Sequence, residues 1–219
     1  MRYYLTGATG FIGGHVAHQL LGRGHEVVVL ARTPGKAVAL REAGAELIEG
    51  DITEPDTLAG TMDGADGVFH IAAWYKVGAR NRDTAHAINV DGTRNVLEEA
   101  RRAAAPRIVY TSTLAVHGHT RGVPVSEDYR MDGPWRSVYD RTKWLAHYEV
   151  ALPMIEDGLP LVIVQPGLVH GPGDHSNVGT VFRDYLQGRL PVIPKQGGCW
   201  SYVEDIAAGH LLAMEDRKS

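Results

Sequence analysis

A tyrosine and a lysine stand at a spacing that suits proton transfer. Tyr139 and Lys143 lie four residues apart, so on a helix their side chains share one face. A free tyrosine, with a pKa of about 10, is too weak an acid–base group at neutral pH. Because an adjacent ammonium group favours the phenolate, we expect Lys143 to lower the pKa of Tyr139 and to make it the proton-transfer group.

A run of hydroxyl side chains upstream can complete such a site. Thr111, Ser112 and Thr113 follow an apolar segment that is typical of a strand. Side chains at the carboxyl ends of parallel strands point into the ligand crevice of an open α/β sheet. We therefore expect a hydroxyl of this run to hydrogen-bond the oxygen of a substrate near Tyr139.

A glycine-rich turn near the amino terminus has the spacing of a dinucleotide-binding loop. Gly7, Gly10 and Gly13 stand between a short apolar run and a segment of helical periodicity. Glycine suits a tight turn, allows the backbone to approach a pyrophosphate, and lets the helix pack closely on the sheet. The N–H groups that open the helix can then bind the phosphates.

The choice of cofactor depends on the end of the second strand. An acidic residue there would bind the free 2′-hydroxyl of NAD, but this chain has Ala31 and Arg32. A guanidinium group can bind a 2′-phosphate, so the sequence favours NADP(H). NAD(H) stays open, because Arg32 is also explained as a solvated surface residue.

Strand and helix patterns alternate along most of the chain. Strands are expected over residues 3–6, 26–30, 45–49, 67–71, 107–111 and 160–164. Helices are expected over residues 11–21, 33–44, 84–104, 137–156, 178–187 and 203–214, with a short one after Pro55. The alternation predicts an α/β fold, a doubly wound parallel sheet of Rossmann type. We expect residues 1–165 to form the cofactor-binding domain and 166–219 to add to the substrate site and complete the core.

Composition excludes several classes of protein. The 219 residues are 44% hydrophobic and 22% charged, with a net charge of −4, so neither a disordered chain nor a nucleic-acid-binding surface is indicated. The apolar runs are too short to span a bilayer. Cys199 is the only cysteine, and no signal peptide pattern opens the chain. We expect a cytoplasmic protein without disulfides or membrane contact.

Eleven histidines raise the question of a metal site. None of them falls in a spacing typical of metal ligands, so no metal is expected. His15 and His18 are interpreted as surface or capping residues of the first helix. Four others fall on loops beside the expected substrate crevice: His117, His119, His170 and His175.

Together these motifs resemble the extended branch of the short-chain dehydrogenase/reductase superfamily, whose members include epimerases and dehydratases. The resemblance covers essentially the whole chain. Its motifs are Thr-Gly-Ala-Thr-Gly-Phe-Ile-Gly at 6–13, Gly-Asp-Ile at 50–52, His-Ile-Ala-Ala at 70–73, Asn-Val-Asp-Gly-Thr at 89–93, and Gln-Pro-Gly-Leu-Val-His-Gly-Pro-Gly at 165–173. Gln165 departs from the arginine that is usual in the last motif.

The resemblance implies a role for each matching residue. Tyr139 would be the acid–base group, Lys143 its pKa modulator and a ligand of the cofactor ribose, and Thr113 the group that orients the substrate oxygen. Cofactor contacts would also come from Gly7, Thr9, Gly10, Phe11, Ile12, Gly13, Arg32, Asp51, Ile52, Ala72, Ala73, Asn89, Pro166 and Val169. The resemblance further implies a homodimer, and a substrate-binding portion at the carboxyl end that is small and truncated here.

The reaction class follows from what stands beside Thr113. Dehydratases of this branch carry Asp-Glu directly after the catalytic threonine, whereas this chain has Leu114 and Ala115. The resemblance is nearest to the dihydroflavonol-reductase-like and hopanoid-associated sugar epimerase group. It favours a carbonyl reductase or alcohol dehydrogenase acting on a small molecule. A nucleotide-sugar epimerase with retained NAD is the alternative, and a non-catalytic NADP(H) sensor is a third reading.

Overall fold

The structure is a computed structural model that describes residues 1–75, 81–192 and 197–216. One parallel six-stranded sheet has the order β3-β2-β1-β4-β5-β6. Its strands are β1 (Arg2–Thr6), β2 (Glu26–Ala31), β3 (Glu46–Glu49), β4 (Gly67–His70), β5 (Ile108–Thr111) and β6 (Leu161–Val164). The strand order reverses between β1 and β4, and ligands of doubly wound sheets bind at this point. The sheet confirms the expected fold class.

Eight α-helices occur in the described part of the chain. They are α1 (Phe11–Gly22), α2 (Val38–Glu42), α3 (Arg82–His86), α4 (Gly92–Arg102), α5 (Val138–Leu145), α6 (Leu152–Glu156), α7 (Asn177–Leu186) and α8 (Val203–Glu215). Short 3-10 turns span Pro34–Ala37, Pro55–Thr57 and Leu114–His117. The helix expected over 33–44 is thus a 3-10 turn followed by a short α-helix.

Alternate residues of the central strands enter two different hydrophobic clusters. Tyr110 faces the cluster that includes Leu97 of α4, whereas its neighbour Val109 faces the cluster that includes Val16 of α1 and Leu211 of α8. Because successive side chains of a strand point to opposite faces, the sheet is covered by helices on both sides. This burial explains why its strands read as nearly continuous apolar runs.

Two long helical stretches contain π-helical segments that the periodicity does not predict. Ala87–Asp91 joins α3 to α4, and Ala146–Ala151 joins α5 to α6. A π segment inserts one extra residue per turn and so rotates the side chains that follow it, and such segments are frequent at functional sites. The first of them carries Asn89, and the second carries His147.

The carboxyl-terminal segment adds a second, small sheet. β7 (Leu168–His170) and β8 (Trp200–Tyr202) pair in parallel, and they were not expected from the sequence. Each strand has only three residues, which is too short for a periodicity to be recognised. The following helix, α8, packs against α1, so it completes the layer on that face of the main sheet. The domain division at residue 165 stays a prediction.

Candidate active site

One cleft of about 1520 Å³ lies at the carboxyl ends of the central strands. It is lined by the glycine-rich loop and α1, by the segments that follow β2, β4 and β5, and by the start of α5. The predicted site residues on its lining are Gly7, Thr9, Gly10, Phe11, Ile12, Gly13, Arg32, Asp51, Ile52, Ala72, Ala73, Thr113, Tyr139, Lys143, Pro166 and Val169. The fold thus brings every predicted site residue except Asn89 to one cavity.

The glycine-rich loop is packed so closely that two of its glycines admit no side chain. Gly7 has φ +79°, and a Cβ atom there would lie 2.5 Å from the backbone nitrogen of Ala72. A Cβ atom on Gly13 would collide with the carbonyl oxygen of Gly7. The three chain segments that meet here are the end of β1, the first turn of α1 and the segment after β4. Glycine is therefore required by contact between backbones.

The first turn of α1 suits an anionic group. Gly10 precedes the helix, and within the described ranges no side chain caps its N–H groups and no acidic residue stands in the first turn. The partial positive charge of a helix amino terminus favours phosphate. Because this turn also lines the cleft, the site fits the pyrophosphate of a dinucleotide.

The far end of the cleft carries a cationic and an acidic side chain. Arg32 follows β2 and is exposed, and the described residues offer it no ion-pair partner. Asp51 is half-buried and accepts hydrogen bonds from the backbone and the hydroxyl of Thr53, both at 3.0 Å. Arg32 is thus available to a ligand phosphate, while the Asp51 carboxylate is held by its own turn.

Tyr139 lies in the first turn of α5, at the opposite end of the cleft. The hydroxyl of Ser137 caps this helix by accepting the N–H of Asp140 at 3.1 Å. Burial raises the pKa of Tyr139 to about 12, and a hydrogen bond with the side chain of Thr113 opposes that rise. The expectation that Lys143 lowers this pKa is wrong for this structure, because the ammonium group is directed elsewhere.

Lys143 is 1% exposed and is held by neutral acceptors. Its Nζ donates to the hydroxyl of Tyr110 and to the carbonyl oxygen of Thr111, both at 2.8 Å. Burial lowers the pKa of Lys143 to about 7, because a low-dielectric site disfavours the charged form. The lysine therefore titrates in the neutral range.

Thr113 joins the end of β5 to the cleft. It is buried, it precedes the 3-10 turn Leu114–His117, and its Oγ1 accepts the N–H of Ala115 at 3.2 Å. The next side chain, Leu114, is 39% exposed. This position therefore carries a hydroxyl next to the Tyr139 phenol and an apolar side chain where a dehydratase has an acid.

Asn89 is the one predicted cofactor ligand that lies away from the cleft. It is fully buried, and its amide binds the backbone of Trp74 in both directions, accepting at 2.7 Å and donating at 3.1 Å. Its second N–H donates to the hydroxyl of Thr142 at 2.9 Å. Both amide hydrogens are thus used inside the protein, and Asn89 fastens the segment after β4 to α5.

The hydrogen bonds of Asn89 to the Trp74 backbone help to fix the positions of Trp74 and Tyr75. Trp74 is buried, whereas Tyr75 is 47% exposed, and both line the cleft. The ring of Tyr75 meets that of Tyr139 edge-on, with centroids 4.9 Å apart. A second aromatic ring thus forms the wall beside the proton-transfer group.

Three histidines line the cleft: His15, His18 and His175. His175 was expected there, and His18 is exposed, as expected for a surface residue, whereas His15 is half-buried. The ring of His15 contacts that of Phe11, one helical turn before it, at 5.7 Å, so the i, i+4 spacing is the signal that could have placed it. His117 is instead buried.

The remaining loop histidines are used within the protein. His117 binds the carbonyl oxygen of Tyr129 at 2.9 Å and the amide of Gln165 at 3.1 Å. His170 packs against aromatic rings of α7 and β8. His119 accepts the N–H of Arg121 at 2.8 Å. These contacts account for the three rings without a substrate.

The described residues form neither a metal-binding cluster nor a membrane-spanning helix. Across the described ranges, no three histidine, cysteine, aspartate or glutamate side chains are grouped closely enough to hold a metal ion. None of the helices in those ranges has both the length and the apolar character needed to cross a bilayer.

Comparison with known proteins gives consistent matches. A sequence profile of the NAD dependent epimerase/dehydratase family matches residues 3–219. A putative dihydroflavonol 4-reductase from Synechocystis is 33% identical over 99% of this chain and 64% of its own length. A 3β-hydroxysteroid dehydrogenase/Δ5→4-isomerase from Mycobacterium tuberculosis is 32% identical over 97% of this chain and 60% of its own length.

A solved structure agrees with these sequence matches. The UDP-glucose 4-epimerase of Thermus thermophilus, in complex with NAD, superposes with a TM-score of 0.81 and 27% identity over 99% of this chain and 75% of that one. The present chain thus spans less than two thirds of the length of the two curated relatives. It belongs to the NAD-dependent epimerase/dehydratase family, the extended branch of the short-chain dehydrogenases/reductases.

Proposed function

We propose that the protein is an oxidoreductase that moves a hydride between NADP(H) and a carbonyl or secondary alcohol of a small molecule. The observation that carries this proposal is the shared cleft. Tyr139, Lys143 and Thr113 line the same cavity as the glycine-rich loop and the first turn of α1. A cofactor held at the loop would extend along the cleft toward the phenol.

Different parts of the cleft would bind different parts of that cofactor. The first turn of α1 would hold the pyrophosphate, and Arg32 would bind a 2′-phosphate. We also propose, from the family resemblance, that Asp51 and Ile52 contact the adenine and that Pro166 and Val169 border the nicotinamide. NAD(H) remains the alternative, because a 2′-hydroxyl would leave Arg32 in solvent.

The side chains of this protein would supply the proton that the reaction needs. When bound, the nicotinamide supplies or takes up a hydride at the substrate carbon. The hydroxyls of Thr113 and Tyr139 would both hydrogen-bond the substrate oxygen. With its pKa raised to about 12, Tyr139 is protonated at neutral pH. It is therefore suited to give a proton to the oxygen of a carbonyl that is being reduced.

The protonation state of Tyr139 decides for which half of the reversible step the resting enzyme is prepared. Alcohol oxidation would need Tyr139 as a phenolate, which the buried site disfavours. A charged Lys143 turned toward the cleft would oppose that penalty. We therefore propose that the resting enzyme is prepared for carbonyl reduction at neutral pH, while the ratio of NADPH to NADP+ sets the net direction.

A sugar epimerase is the second candidate, and the likeness to a solved UDP-glucose 4-epimerase favours it. The two readings differ in how the cofactor is used. A reductase releases NADP+ after each turnover, whereas an epimerase returns the hydride to the same substrate. Purified protein that carries one tightly bound NAD per chain would favour the epimerase. An empty site that consumes NADPH with aldehydes or ketones would favour the reductase.

The experiment that tests the proposal is Tyr139→Phe. Removing one hydroxyl takes away the proton donor but keeps the ring, so NADPH should bind as in the wild type while turnover falls by about a thousandfold. Tyr185→Phe is the matched control, because Tyr185 is an exposed phenol on α7 that does not line the cleft. Unchanged turnover in Tyr139→Phe would refute the assignment.

A further inference from the structure

The ammonium group of Lys143 is buried, and no acidic side chain in the described part of the chain pairs with it. Its contacts are the Tyr110 hydroxyl and the Thr111 carbonyl oxygen of β5. The titratable groups around it are Tyr139 and His147 on its own helical stretch, Tyr110 on β5, and His70 on β4. All of them are neutral in the middle of the pH range. Neutral hydrogen-bond acceptors alone therefore fix the position of this charge.

The hydrogen bonds behind Tyr110 have a direction that can be worked out. The hydroxyl of Thr93 donates to the carbonyl oxygen of Asn89 at 2.7 Å, so its oxygen accepts from Nε2 of His70 at 3.0 Å. His70 then carries its proton on Nε2, and its Nδ1 accepts from the hydroxyl of Thr6 at 2.8 Å. Burial lowers the pKa of His70 to about 3, which keeps this ring neutral.

Tyr110 links this network to the lysine. Its ring stacks on His70, with centroids 5.5 Å apart and planes 15° apart, and its hydroxyl faces the side chain of Thr93. Because the Thr93 oxygen has already used its proton, the Tyr110 hydroxyl can point its hydrogen toward Thr93 and accept from Lys143. Nζ of Lys143 also lies 4.5 Å from the centre of the Tyr110 ring, a distance at which a cation is attracted to an aromatic face.

We propose that Tyr110 is the positioning residue of Lys143, and that Thr93 and His70 hold the Tyr110 hydroxyl in the orientation that accepts the ammonium hydrogen. The network ends at Thr6, which lines the cleft and whose hydroxyl accepts the N–H of Ala72 at 3.4 Å. A continuous set of hydrogen bonds and ring contacts thus joins the glycine-rich loop to Lys143. The inference rests on the proposed function only in giving Lys143 a role toward the cofactor.

The direct test replaces Tyr110 by Phe. This substitution keeps the ring, the stacking and the cation contact, but removes the acceptor from a charged donor. We expect the pKa of Lys143 to fall by about 1, a tenfold loss of proton affinity. It is measured by NMR titration of isotope-labelled lysine, with Lys143→Met to assign the signal. Tyr4→Phe is the matched control, since Tyr4 is another buried phenol of the sheet, and its hydroxyl forms a hydrogen bond with that of Thr61 at 3.0 Å.

Thr93→Val gives a second variant in case Tyr110→Phe folds poorly. It leaves the Tyr110 hydroxyl next to Lys143 but removes the group that orients it. The pKa of Lys143 should shift in the same direction by a smaller amount. A pKa of Lys143 that is equal in the wild type and in both variants would overturn the inference.

Binding of NADP+ gives an independent readout. If the cofactor binds the charged lysine, Tyr110→Phe should weaken binding about tenfold at pH 8 and less than twofold at pH 5.5, because acid restores the ammonium. Titration of groups other than Lys143 should affect the Tyr4→Phe control equally. A loss of affinity that is the same at every pH would overturn the positioning role. Failure of the wild type to bind NADP+ or NAD+ would refute the proposed function, and the NMR titration would still decide the inference.

Discussion

The two ends of the cleft are built in different ways. At the cofactor end, the structure is held mainly by contacts between backbone atoms, and the closest of them join Gly7, Gly13 and Ala72. The side chain that can bind a ligand there, Arg32, is exposed. At the catalytic end, buried side chains from four separated segments meet around Lys143 and Asn89.

This difference decides how each end responds to change. Backbone packing at the cofactor end tolerates no added atom, but it depends little on protonation. The catalytic end depends on hydrogen bonds between buried neutral groups, so it is sensitive to loss of a partner and to acid. Substitutions at the two ends should therefore differ in what they disturb.

Gly13→Ala should have the largest effect, at the cofactor end. The added methyl would collide with the Gly7 carbonyl oxygen, so the loop and α1 must separate. We expect a loss of about 3 kcal/mol in the free energy of unfolding and loss of NADPH binding. Both are measured on purified protein, by urea unfolding and by cofactor titration.

Gly14→Ala is the control for this collision. Its Cβ would lie 3.4 Å from the carbonyl oxygen of Ala8, which is an ordinary contact, and alanine is the better helix former. Its free energy of unfolding should stay equal or rise. Equal losses in Gly13→Ala and Gly14→Ala would show that close backbone packing does not explain the glycine pattern.

Asn89→Ala disturbs the catalytic end. It removes three hydrogen bonds of a fully buried amide and takes away the partner of the backbone N–H and carbonyl oxygen of Trp74. We expect a loss of about 2 kcal/mol or more in the free energy of unfolding. Turnover should fall because Tyr75 is released, while NADPH affinity in the remaining folded protein changes little.

Asn95→Ala provides the comparison, because Asn95 is half-buried on α4 and makes one bond to the carbonyl oxygen of Ile52 at 2.8 Å. Asn95→Ala should lose less free energy of unfolding than Asn89→Ala. If Asn89→Ala weakened NADPH binding and left turnover intact, Asn89 would be a cofactor ligand after all.

Acid should destabilise the catalytic end through its buried histidines. Burial lowers the pKa of His70 to about 3 and that of His147 to about 4, and it also lowers the pKa of His210. The folded state keeps these rings neutral while the unfolded chain takes up protons below about pH 6.5. Their contribution to stability is thus complete above that pH and is lost progressively as the pH falls toward the folded pKa values.

The expected size is about 1 kcal/mol each for His70 and His147 between pH 7 and pH 5.5, measured by urea unfolding at both pH values. His147→Asn should reduce this dependence, because asparagine offers Ser112 a hydrogen-bond partner that does not titrate. If His147→Asn and the wild type lost the same free energy of unfolding between these pH values, His147 would not be a source of the pH dependence.

Arg32→Ala should have the smallest effect, and only on the ligand. The residue is exposed and has no ion-pair partner in the part of the chain that the structure describes, so the free energy of unfolding should not change. NADPH affinity should fall about tenfold while NADH affinity stays the same. Arg41→Ala, another exposed arginine, should change neither affinity. Equal loss for both cofactors would argue against a 2′-phosphate contact.

The same contrast explains what could be predicted from the sequence. Gly7 and Gly13 lie only six residues apart, and Arg32 directly follows a strand, so local patterns reveal the cofactor end. Asn89, Tyr110 and Lys143 meet only because β5, α5 and a π-helical segment are packed together. No local pattern shows that the ammonium group of Lys143 binds the hydroxyl of Tyr110 and not that of Tyr139.

The carboxyl-terminal segment was predicted least well. β7 and β8 were missed because each is short and because their pairing joins residues about thirty positions apart. The register depends on contacts such as the bond from the N–H of Leu168 to the carbonyl oxygen of Cys199, at 2.7 Å. Helix α8, which has a longer apolar periodicity, was predicted to within one residue of its observed end.

The central claim is that the cleft reduces a carbonyl group with hydride from a nicotinamide and a proton from Tyr139. The most direct measurement uses NADPH deuterated at its transferable position, with a panel of aldehydes and ketones, and analyses the alcohols by mass spectrometry. The account predicts one deuterium at the alcohol carbon with the wild type, and about a thousandfold slower formation of that labelled alcohol with Tyr139→Phe. Unlabelled alcohol, or label transferred equally well by Tyr139→Phe, would contradict it.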